Sequence, residues 1–145
     1  MGKYLGKLEA RGPFIEIKVM ATRQRVEVLK SLNLPYPGPA AIRALIDTGA
    51  SSSALDEGIV GRLKLTPTGS VSVHTPSTGP THDTCDQYDV TVVLGENAPD
   101  PKTFTVGVLG SRFASEGFFA LIGWDILSQC ILTCDGPSRS FSLEY

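Results

Sequence analysis

The stretch ALIDTGASSSAL, Ala44 to Leu55, sets a single carboxylate, Asp47, directly after three apolar residues and before a Thr-Gly turn. An ionised carboxylate in a poorly hydrated position must find partners or give up its charge. Asp47 therefore belongs either to a wet turn or to a site that uses the acid. Upstream, AAIRALI (40–46) reads as a strand that runs straight into the turn at Asp47, Thr48 and Gly49. Downstream, DEGIVGRL (56–63) reads as a short helix weakened by its glycines.

Further out, strand signals dominate. FIEIKV (14–19) alternates Ile15, Ile17 and Val19 with Glu16 and Lys18, and RVEVLKSL (25–32) extends the pattern as an expected second strand. Pro35, Pro37 and Pro39 then remove donors and fix φ, so 33–39 is expected to be a surface connection. Residues 71–94, VSVHTPSTGPTHDTCDQYDVTVVL, have two β-rich flanks around a centre of Pro, Ser, Thr and Gly, the pattern of a hairpin with its tip near Ser77, Thr78 and Gly79. TFTVGVL (103–109), CILTC (130–134) and SFSLEY (140–145) read as strands, and WDILSQC (124–130) as a short helix. The expected architecture is all-β, a small closed barrel with one short C-terminal helix. ALI occurs twice, at 44–46 and 120–122, a weak hint of two similar halves.

Composition narrows the function. The 145 residues fit a single domain (1–145), with an N-terminal extension at 1–12 and a proline-rich insertion at 21–39; 41% are hydrophobic and 19% charged. A net charge of -2 gives no electrostatic reason to expect nucleic acid or an anionic membrane as partner. The opening MGKYLGKLEARGPF lacks the apolar core of a signal peptide, and a cytoplasmic or otherwise soluble intracellular protein is expected. Three cysteines, Cys85, Cys130 and Cys134, argue against a disulfide framework. Their spacing with His74 and His82 matches no zinc pattern, so neither metal nor cofactor is expected.

ALIDTGA, followed by a Gly-bearing hairpin, the returning strand QYDVTVVL and then ALIGWDIL, resembles the retropepsin-like aspartic proteases over residues 13–145. The last segment is similar to that family's apolar-apolar-Gly-x-Asp-aliphatic-Leu signature, carried here by Ile122, Gly123 and Asp125. The resemblance implies an aspartic endopeptidase with Asp47 as the catalytic acid, supported by Thr48, Gly49 and Ala50, and a flap at Ser77, Thr78 and Gly79. It further implies a homodimer, because one Asp-Thr-Gly is half of a two-carboxylate site, and an extended peptide or protein as substrate. Two positions depart from the retroviral pattern: an acid and an arginine that pair there are Ser51 and Trp124 here. Asp125 opens the short helix and is expected to cap it or to pair with an arginine. The alternative is a dimerisation or peptide-binding module of the same fold, with weak or no catalysis.

Overall fold

The fold is that of a computed structural model, which describes residues 1–73 and 83–145. The alternation in FIEIKV is realised in β2 (Gly12–Ala21), where Ile15, Ile17 and Val19 are buried and Glu16 is exposed. β2 pairs antiparallel with β3 (Ala40–Ile46), setting Ile15 opposite Ala44 and Val19 opposite Ala40. At these two positions a large residue faces a small one.

The remaining strands are β1 (Lys3–Glu9), β4 (Ala54–Asp56), β5 (Gly69–Val73), β6 (Asp83–Leu94), β7 (Lys102–Ser111), β8 (Ala120–Ile122), β9 (Ile131–Asp135) and β10 (Ser140–Glu144). Their lateral order is β5-β6-β7-β4-β8-β3-β2-β1-β10-β9, and an additional β2–β6 pairing closes β2, β3, β8, β4, β7 and β6 into a barrel. Its interior holds Ile15, Ile17, Leu55, Val90, Val92 and Ile122, all at most 3% exposed. The expected all-β closed barrel is the observed one.

The two ALI runs are neighbours. β3 and β8 pair in parallel with Ala44, Leu45 and Ile46 opposite Ala120, Leu121 and Ile122, and β4 takes the other edge of β8. The chain from Asp47 to Ser53 must therefore cross over the end of β8 to get from one of its neighbours to the other. This crossing places the Asp-Thr-Gly turn directly against Gly123 and the helix that follows.

One expectation is corrected. RVEVLKSL is not a strand: α1 (Arg23–Ser31) is a helix, started by the Thr22 hydroxyl accepting from the Arg25 N–H at 3.3 Å and supported by an Arg23–Glu27 ion pair one turn apart. The cap and the helix-forming Arg, Gln, Glu, Leu and Lys outweigh two alternating valines. The short helix expected at DEGIVGRL is α2 (Glu57–Arg62), and the C-terminal one is α3 (Trp124–Leu127). Within the first twelve residues β1 pairs with β10, from Lys3 opposite Glu144 to Lys7 opposite Ser140. Among the described residues no helix is long and apolar enough to cross a membrane.

Asp56, only 6% exposed, caps α2 by accepting from the Gly58 N–H at 2.8 Å. It also accepts from the N–H groups of Phe113 at 2.7 Å and Ala114 at 3.0 Å, tying the end of β4 to the segment after β7. Burial by itself pushes this carboxyl up, but the N–H groups of Phe113, Gly58 and Ala114 and the charge of Arg112 outweigh it and hold it below the usual value. A carboxyl lowered on folding stabilises the native state above its unfolded value, near pH 4, and loses that stabilisation as the pH falls through the lowered one. Asp56→Asn is expected to lower stability by about 2 kcal/mol at pH 7 and to flatten its decline below pH 4. Urea melts of both proteins from pH 2 to 7 test this; parallel pH profiles would remove Asp56 from the account.

Candidate active site

The crossing segment 47–53 is held against 122–125 by a dense set of hydrogen bonds. The Asp47 N–H donates to the Ile122 carbonyl at 2.9 Å, the Trp124 N–H to Ala50 at 2.9 Å and the Asp125 N–H to Ser51 at 3.2 Å. Side chains complete the lattice. Ser53, 1% exposed, donates its hydroxyl to Asp125 Oδ1 at 2.6 Å and accepts from the Gly123 N–H at 3.0 Å, while its own N–H donates to Asp125 Oδ2 at 2.8 Å. Asp125 thus neither caps α3 nor joins an ion pair among the described residues. It is a clasp on Ser53, because two donors on one residue satisfy a half-buried carboxylate better than a helix terminus of four residues.

Asp47 lies at the mouth of this lattice, half-buried, with Thr48 and Gly49 exposed beside it. Its Oδ1 accepts from the Gly49 N–H at 2.9 Å, which orients the carboxylate. Glycine serves here because a Cβ on residue 49 would lie 3.2 Å from that oxygen. The Thr48 carbonyl accepts from Trp124 Nε1 at 2.7 Å, although the indole remains 50% exposed. Ser51 and Trp124 therefore each brace the turn through main-chain atoms where the retroviral pattern uses a charged pair.

A cavity of about 410 Å³ opens beside Asp47, lined by Gly49, Ala50, Val73, Leu109, Phe113 and Leu121 among others. Among the described residues Asp47 is the one charged side chain on its wall. The half-buried Cys85 lines it too, Cys130 packs against the core, and Cys134 is exposed on β9. A larger cavity of about 490 Å³ lies on the opposite end, between β1, β2 and residues 95–98; its Lys18 and Lys3 are ion-paired with Glu96 and Glu144, and it contains none of the motif. Among the described residues no group of three or more His, Cys, Asp and Glu side chains is placed to hold a metal ion. Ser77, Thr78 and Gly79, with His74 and His82, lie outside the described residues; the strands that flank them, β5 and β6, pair antiparallel up to Val73 opposite Asp83.

No family model and no curated protein sequence matches the chain. Among solved structures, that of a retropepsin-like aspartic protease from Rickettsia conorii is similar, with a TM-score of 0.55 and 18% identity over 99% of this chain and 91% of that one. The chain has a retropepsin-like fold. Within that fold the two signature segments read from the sequence, Asp47-Thr48-Gly49-Ala50 and Ile122-Gly123-Trp124-Asp125, are brought into direct contact. Ser53 and Asp56 were not legible as site supports. The first is one of three consecutive serines, and only the crossing over β8 buries this one; the second resembles any acid at a helix start.

The lattice depends on Gly123, whose added Cβ would meet the Ser52 carbonyl carbon at 2.7 Å and the Ala50 oxygen at 2.8 Å, both main-chain atoms that cannot swing aside. Gly123→Ala is expected to cost about 3 kcal/mol, and Ser53→Ala about 2 kcal/mol because it leaves the Gly123 N–H and one Asp125 oxygen unpaired. Denaturant unfolding checks both. Losses under 0.5 kcal/mol at either site would show that the crossing is not held in this way.

Proposed function

We propose that the chain is an aspartic endopeptidase in which Asp47 from each of two copies forms the catalytic dyad. The supporting observation is the oriented, half-buried Asp47, the one charged side chain that the described residues contribute to the cavity wall, on a retropepsin-like fold. Hydrolysis of a peptide bond by water needs a base for the water and an acid for the carbonyl oxygen and the departing amine. Two carboxylates held at hydrogen-bond distance share one proton and supply both. One chain has one such acid, and a two-fold axis beside Asp47 supplies the second.

In this reading the ionised member takes a proton from a water whose oxygen bonds to the carbonyl carbon, while the protonated member donates to the carbonyl oxygen, giving a gem-diol. The proton taken from water then passes to the amine nitrogen as the C–N bond breaks, and a diol hydroxyl returns its proton to the other carboxylate. The shared proton is restored and no covalent intermediate with the protein forms. Thr48, exposed in the single chain, meets its copy across the axis and holds the two turns together. The small side of Ala50 and the apolar Leu109, Phe113 and Leu121 leave room for a side chain of an extended peptide. The flap expected at Ser77, Thr78 and Gly79 falls outside the described residues.

A diverse peptide mixture incubated at high protein concentration from pH 3 to 7, read by mass spectrometry, tests the proposal. The expected result is cleavage by the native chain and a loss of at least about a thousandfold in Asp47→Asn. No cleavage by a folded, dimeric native chain, or undiminished cleavage by the variant, overturns it.

A further inference from the structure

The small total charge of -2 hides an uneven distribution. Arg23, Arg25 and Lys30 against Glu27 give residues 22–39 a net +2, and Arg62 and Lys64, with no acid between 62 and 68, add another +2, so that the remaining residues carry -6. The two basic segments lie together. They face each other across a groove of about 350 Å³, lined by Arg25, Val28, Leu65 and Pro67 among others, and Arg25 Nη2 donates to the Lys64 carbonyl at 2.9 Å. Of the nearby acids, Glu27 is paired with Arg23, and Asp89 is the one acid that the described residues contribute to the groove wall.

The same face is apolar at its surface. Four of the nine large hydrophobic side chains exposed among the described residues, Val28 (56%), Leu32 (61%), Leu34 (49%) and Tyr36 (41%), fall within one nine-residue stretch. Ordered backbone holds them there. The Leu32 N–H donates to the Val28 carbonyl at 3.2 Å, which sets these two side chains one helical turn apart. α1 then ends at Asn33, in the left-handed region at φ 53°, whose N–H donates to the Lys30 carbonyl at 3.0 Å while the Leu34 N–H returns to Leu29 at 2.9 Å, bonds that fold the chain back on its helix end. Leu34 and Tyr36 each precede a proline and are thereby kept extended. Lys30 Nζ lies over the Tyr36 ring at 5.4 Å. α1 buries none of its residues, so this surface stands out from the barrel.

A partner for this surface has to take up both its charge and its apolar side chains. A second copy does not, because a two-fold contact would set like charge against like. Nucleic acid would neutralise the charge and leave two leucines, a valine and a tyrosine in water. The interface of an anionic bilayer accepts both: apolar side chains enter beneath the headgroups, a tyrosine sits at headgroup level, and lysines and arginines meet the lipid phosphates. The acidic remainder of the chain is repelled by the same bilayer, which fixes the orientation of approach.

We infer that α1, the turn that follows it through Tyr36, and residues 62–68 form a docking surface for an anionic phospholipid bilayer. The chain rests on the membrane there and does not cross it. α1 leads into Ala40, the first residue of β3, whereas Asp47 follows the last residue of that strand, about 20 Å away along it. The motif turn thus lies at the other end of β3 from the docked face, and the inference does not depend on the dyad reading.

The test is co-sedimentation of the full chain with phosphatidylcholine vesicles made with and without phosphatidylserine, with circular dichroism to confirm folding. The native chain is expected to bind the phosphatidylserine vesicles, to bind pure phosphatidylcholine at least about tenfold more weakly, and to be released as salt is raised. Two double variants separate the contributions. Lys30→Gln with Lys64→Gln removes two of the charges, and Leu32→Ser with Leu34→Ser removes two of the apolar side chains. Each pair is expected to weaken binding at least about tenfold. Should a variant misfold, hydrogen exchange of the native chain decides: vesicles are expected to slow exchange within 26–36 and 62–68. No binding to the anionic vesicles, equal binding to both lipids, unchanged binding by both folded variants, or protection confined to other segments overturns the inference. Retention of the native chain on polyuridylate, with vesicle binding unaltered by the leucine changes, makes this a nucleic-acid face and overturns it as well.

Discussion

The Ser53–Asp125–Gly123 clasp is the constraint on which the rest of the molecule depends. A parallel pair such as β3 and β8 cannot be joined by a tight turn, and β4 must reach the far edge of β8 by crossing its end. A crossing loop leaves main-chain donors and acceptors in a crowded place, and each one left unpaired costs about 1–3 kcal/mol. The clasp and the bonds of Ala50, Ser51 and Asp47 to residues 122–125 satisfy them in one compact lattice. The loop that carries the Asp47 carboxylate is thus fixed against residues 122–125 through its main chain.

Asp56 extends the same logic outward. It pins Phe113 and Ala114, and Phe113 forms part of the wall beside Asp47. Asp56 and Asp125 are therefore structural, each bonded to several donors, while Asp47, with one donor among the described residues, faces the cavity. That contrast distinguishes Asp47 from the two supporting carboxylates more sharply than sequence position does.

Much of this was readable in advance. Alternation located β2, β3, β6, β7 and β10, because one face of each is buried and the period of two survives in the sequence. The two signature segments were visible because they need specific residue types: an acid, a glycine where main chains touch, aliphatics behind. What escaped depends on partners distant in the chain. β1 carries Leu5 73% exposed and two lysines, so its pairing with β10 leaves little hydrophobic trace. α1 buries none of its residues, and its helical state rests on a cap and a local ion pair rather than on an apolar stripe. Ser53 looks like its neighbours until the crossing over β8 buries it.

The terminal sheet shows what the single chain completes by itself. With β1, β10 and β9 zipped within one chain and Phe141, Leu143 and Tyr145 buried beneath them, the barrel closes its core without a partner. If the dyad reading holds, folding and pairing are separate steps: each copy completes its own core, and only the joining of two Asp47 carboxylates depends on concentration.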